Sequence, residues 1–151
     1  MRAVPFRQDS IRTEAKNRLL QAVALQPEAA YLYHGIANLY TTNTGHVLNY
    51  QTDSVLKYCQ LASRYAPKWL LPWLDLSVEY SEAQVDLPQA DICLMKAYQI
   101  NSKSYLVLER LSSLRQLQNR LDEAVVLADK MIVLHPDLFN GAAIQGLNYF
   151  L

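Results

Sequence analysis

Val55-Leu-Lys-Tyr-Cys59-Gln-Leu-Ala62-Ser-Arg-Tyr-Ala66-Pro67 is the stretch that decides the fold. Its apolar or small residues Val55, Leu56, Cys59, Ala62 and Ala66 fall three to four apart, which is one face of a helix. Pro67 cannot continue the hydrogen-bond ladder and biases Ala66 away from helical geometry, so the helix stops there. The spacing Val55-x3-Cys59-x2-Ala62-x4-Pro67 has three counterparts: Ala15-x3-Leu19-x2-Ala22-x4-Pro27, Ala90-x3-Leu94-x2-Ala97-x4-Ser102 and Ala124-x3-Ala128-x2-Met131-x4-Pro136. The steps between their first residues are 40, 35 and 34. A period in this range marks a stacked-repeat protein.

A second spacing begins six residues beyond each stop. It runs Tyr33-x2-Ile36-Ala37-x2-Tyr40, Trp73-x2-Leu76-Ser77-x2-Tyr80, Leu108-x2-Leu111-Ser112-x2-Arg115 and Ala142-x2-Gln145-Gly146-x2-Tyr149. The small residue of each (Ala37, Ser77, Ser112, Gly146) is where the two helices of a pair are expected to cross. Together the two spacings resemble the tetratricopeptide repeat, W-x2-L-G-x2-Y followed by A-x3-F-x2-A and P. The unit from Trp69 to Ser102 matches it best, and the next departs from it by carrying Arg115 in place of the tyrosine. The resemblance implies an all-α fold, a right-handed α-solenoid of antiparallel helix pairs with about seven helices. It divides the chain into an N-terminal tail, 1–10, and a single domain, 11–151. Three full repeats cover about 28–67, 68–102 and 103–136, with half-repeats at 11–27 and 137–151.

Composition narrows the function. The formal net charge is +0 and no basic stripe stands out, which argues against direct nucleic-acid contact. No apolar run approaches the length of a bilayer span, and Met1 to Asp9 lacks the apolar core of a signal peptide. A cytoplasmic location is expected, without membrane contact. Cys59 and Cys93, at nearly equivalent repeat positions, read as buried thiols acting as small hydrophobes. His34, His46 and His135 lie far apart in sequence, and no catalytic or metal-ligand spacing and no glycine-rich phosphate loop occurs. No enzyme activity, metal or cofactor is therefore expected. His135 is expected to complement a helix C-terminal dipole.

Binding is the class left. In the tetratricopeptide family the first helix of each pair lines an inner groove. The positions one turn off the packing stripe are Tyr31, His34, Asn38, Leu71, Leu74, Asp75, Val78, Glu82, Glu109, Ser113 and Gln116. Asn38 fits the family's clamp for chaperone tails, but His34, Leu74 and Glu109 do not, which disfavours such a receptor. An extended peptide with apolar anchors, and a basic residue near Asp75 or Glu82, suits this surface better. The elongated first repeat, with extra residues across 41–53, is also similar to tetratricopeptide-like domains of ToxR/CadC/HilA-type bacterial regulators. That likeness implies an effector or sensor region of a transcription regulator; the alternative is a free-standing chaperone of the type III secretion kind. The ending Leu147-Asn-Tyr-Phe-Leu151 suggests a fragment of a longer protein, or a homo-oligomer formed through an apolar C-terminal helix.

Overall fold

The helix stops expected from the prolines set the boundaries of the observed elements. In the computed structural model, which describes residues 5–41 and 51–139, α1 spans Pro5–Leu25 and ends two residues before Pro27. Helix α3 (Thr52–Tyr65) ends at Pro67 and α7 (Leu121–Leu134) at Pro136. Helix α5 (Leu87–Ile100) has no proline behind it. Instead Asn101 Oδ1 accepts a bond from the Lys103 amide at 3.1 Å, an Asx turn that closes the helix by side-chain chemistry. Between these lie α2 (Ala30–Thr41), α4 (Leu70–Val78) and α6 (Tyr105–Leu117). No strand occurs among the described residues, and the fold is all-helical.

One expectation changes at the N-terminal end. The N-terminal tail is shorter than 1–10, because α1 already begins at Pro5, and proline is tolerated in a first helical turn. Pro136–Phe139 is a short 3-10 turn. The rest of the expected half-repeat 137–151, and residues 42–50 of the insertion, lie outside the described residues.

Helices pack in chain order. The most extensive contacts join α2 to α3, α4 to α5 and α6 to α7, and the lesser ones link each pair to the next. The repeated spacings supply the packing surfaces. Ala37, Val55, Cys59, Leu76 and Cys93 form one buried cluster, and Leu74, Ala90, Leu94, Ala97, Val107, Leu111 and Leu114 form a second. Trp73 and Tyr80 pack against both. Small residues let the helices approach: Ser77 and Ser112 are buried, with their hydroxyls donating to the carbonyls of Leu74 and Ala124. A recurrent tie joins successive pairs. Tyr33 Oη donates to the Pro27 carbonyl at 2.8 Å, and Trp73 Nε1 to the Pro67 carbonyl at 3.0 Å. Leu108, the third residue of this series, has no donor. There His135 Nε2 bonds the Lys103 carbonyl at 2.6 Å and stands edge-on to Tyr105. His135 thus fastens the end of α7 to the start of α6, a more specific role than the dipole effect expected of it.

Two helix ends use the left-handed region. Asn119 (φ 58°) closes α6 in a Schellman arrangement, with the Arg120 amide bonded to the Arg115 carbonyl and its own amide to the Gln116 carbonyl. Helix α4 runs on into a π-helical turn, Glu79–Ala83, and two residues beyond it Val85 takes φ 54°. Asparagine tolerates this conformation; a β-branched valine is strained in it. Val85 is 74% exposed and contributes little packing in return. Val85→Asn is therefore expected to raise stability by about 1 kcal/mol, and Tm by about 2–4 °C for a domain of this size. Thermal unfolding followed by circular dichroism checks this; an unchanged or lower Tm would refute the strain.

Candidate functional site

The faces of the first helices adjoin one another through side chains. His34 Nε2–H of α2 donates to Asp75 Oδ2 of α4 at 2.7 Å, and the imidazole stands edge-on to Trp69. Arg110 of α6 lies 3.9 Å from Glu82 of the π-helical turn. The expected groove residues divide into three kinds.

Leu74 is a correction. It is only 6% exposed, because Val107, Leu111 and Leu114 of the next pair pack with it in the second core cluster, so it offers a partner no surface. His34, Asp75 and Glu82 form the second kind. Each already faces an opposite or complementary group of the chain, so a basic residue of a partner would compete with His34 at Asp75 and with Arg110 at Glu82. Tyr31, Asn38, Leu71, Ser113 and Gln116 are exposed, with Val78 and Glu109 half-buried. These seven remain on the accessible face.

One residue of this face was not expected. Leu106 stands two positions before Leu108, as Tyr31 does before Tyr33 and Leu71 before Trp73. All three are large apolar side chains left in water: Tyr31 is 61%, Leu71 41% and Leu106 46% exposed. The register of the repeat carried that signal, two residues ahead of each buried anchor. A row of exposed apolar residues at one repeat position is a surface feature that packing within the chain does not require.

A wide cleft lies elsewhere, between α3 and α5. It encloses about 1010 Å³ over a floor of Trp73, Leu76 and Tyr80, with Arg64, Lys68 and Lys96 among its lining residues. The π-helical turn carries Tyr80, whose hydroxyl accepts a bond from Gln60 Nε2 at 3.0 Å across the cleft.

The thiols are chemically quiet. Burial, followed by the neighbouring carboxylates of Asp75 and Glu79, raises the Cys59 pKa well above its ordinary value. Burial alone pushes Cys93 up to about 11. Both thiols stay protonated at neutral pH, and a protonated thiol is a poor nucleophile and metal ligand. Among the described residues no group of three or more His, Cys, Asp or Glu side chains is arranged to hold a metal ion, and no helix is long and apolar enough to cross a membrane. Comparison of the chain with protein-family models and with curated proteins finds no match.

Proposed function

We propose that the chain is a non-catalytic interaction module, a right-handed tetratricopeptide-like solenoid whose first helices bind an extended peptide or protein segment. The row Tyr31, Leu71 and Leu106 carries this reading. Packing in chain order supports the solenoid, since each pair contacts the next one as stacked repeats do. Neighbouring packed helices lie about 8–10 Å apart, and a peptide in polyproline II geometry rises about 3.1 Å per residue with three residues per turn. A bound segment would therefore present apolar side chains at every third residue, one for each repeat. An effector region of a regulator and an export chaperone would use such a surface in the same way.

Selection of phage-displayed random peptides on the immobilised chain tests the proposal. Enriched peptides are expected to carry apolar residues at every third position. Leu71→Asp and Leu106→Asp are each expected to weaken their binding by about tenfold or more, with Tm unchanged because both side chains are exposed. Absence of enrichment, or binding indifferent to both substitutions, would overturn it.

A further inference from the structure

The cleft between α3 and α5 concentrates positive charge in a chain whose formal net charge is +0. Most described cations are matched. Arg18 meets Glu14, Arg110 faces Glu82, Arg115 and Arg120 meet Glu123, and Lys16, Lys57 and Lys130 lie over tyrosine rings. The side chains of Arg64, Lys68 and Lys96 make no ion pair, hydrogen bond or ring contact, a state that the side chain of Lys103 shares. Three of these four unmatched cations thus line one cleft. No carboxylate is among its described lining residues, which otherwise are glutamines, a serine, Cys93, aromatics and aliphatics.

Position in the fold explains one of the three. Arg64 sits in the last turn of α3, where a cation complements the helix dipole. Lys68 lies beyond that helix and Lys96 before the last turn of α5, so the dipole does not account for them. Between the cations the surface is apolar, with Ile92 at the rim 53% exposed and the Trp73 ring on the floor. An apolar floor within a ring of unmatched positive charge suits a ligand that is negative at its edges and apolar at its centre. A free inorganic anion would leave the floor uncovered, and an uncharged peptide would leave the cations unmatched. We propose that this cleft is a second docking surface, for an acidic peptide segment with one apolar or aromatic anchor. The anchor seats against Trp73 and Ile92 while its flanking carboxylates face Arg64, Lys68 and Lys96. Its cations lie on or beside the second helices α3 and α5, apart from the Tyr31–Leu71–Leu106 row, and the proposal does not depend on what that row binds.

Fluorescence anisotropy on the whole chain provides the test. The probe is a fluorescein-labelled glutamate-rich peptide with a central tryptophan, compared with its glutamine counterpart and with inorganic phosphate as competitor. The glutamate peptide is expected to bind, with affinity falling as salt rises because the pairs are at a solvated rim. Joint Lys68→Glu and Lys96→Glu substitution is expected to weaken it by about tenfold or more. Joint Lys68→Gln and Lys96→Gln substitution should act in the same direction and guards against a folding defect in the reversed variant. Leu71→Asp and Leu106→Asp should leave this binding unchanged, which separates it from the peptide-binding row. Failure of the wild-type chain to bind, equal binding of the glutamine peptide, indifference to the lysine substitutions, or displacement by millimolar phosphate would each overturn the proposal.

Discussion

Arg115→Ala is expected to lower the unfolding free energy by about 3 kcal/mol, at the lower end of the cost of breaking a buried ion pair. Arg115 replaces the aromatic residue of the repeat pattern, and its guanidinium, with a side chain 8% exposed, sits where Tyr80 sits one repeat earlier. A charge in that place requires partners. Nη1 donates to Asp91 Oδ1 at 2.6 Å and to Gln118 Oε1 at 2.8 Å, and Nε lies 3.1 Å from Glu123 Oε2. The residue therefore ties α5 and α7 across α6. Asp91 and Glu123 are partly solvated and can regain water when the arginine is lost, which is why the lower end of the range applies. Arg115→Met keeps much of the volume and leaves no buried charge, so it should cost less than half as much. Urea unfolding measures both. A loss below about 1 kcal/mol for Arg115→Ala, the scale of an exposed pair, would show that the network is not needed for stability.

Trp73→Ala is the second large effect, also about 3 kcal/mol, the scale of removing a large aromatic from a packed site. The ring touches both buried clusters, and so holds the α2–α3 pair to the α4–α5 pair. Its indole N–H also satisfies the Pro67 carbonyl. Trp73→Phe keeps most of the packing and loses that bond, at an expected cost of about 1 kcal/mol. Because the ring bridges two clusters, weakening this junction should also reduce cooperativity. The urea transition of Trp73→Ala, followed by far-ultraviolet circular dichroism, is expected to broaden as well as shift. A transition that moves without broadening would mean that the pairs are coupled by contacts other than this ring.

The helices, their stops and their small crossing residues were legible because each depends on residues within one or two turns. Ala62, Ala97, Ser77 and Ser112 are buried where the spacing placed them, and Pro27, Pro67 and Pro136 follow the helices they end. The phase within a face was less secure. Leu71 and Leu74 share a side of α4, but α6 packs over only one of them, and a helix read in isolation does not know what will cover it. Arg115 was visible as a departure, whereas Asp91 lies 24 residues away on another helix. His34 and Asp75 are 41 apart. The α3–α5 cleft gathers Arg64 from one repeat with Lys68 and Lys96 from the next, and its floor comes from a third helix between α3 and α5.

Sequence by itself determined the helical elements, their pairing and the repeat register, since steric, capping and periodic preferences act locally along the chain. The tertiary structure alone decided which charges are matched, which leucines are covered and where a cleft remains. Those properties depend on the distance between side chains of different helices, and that distance exists only once the helices have packed.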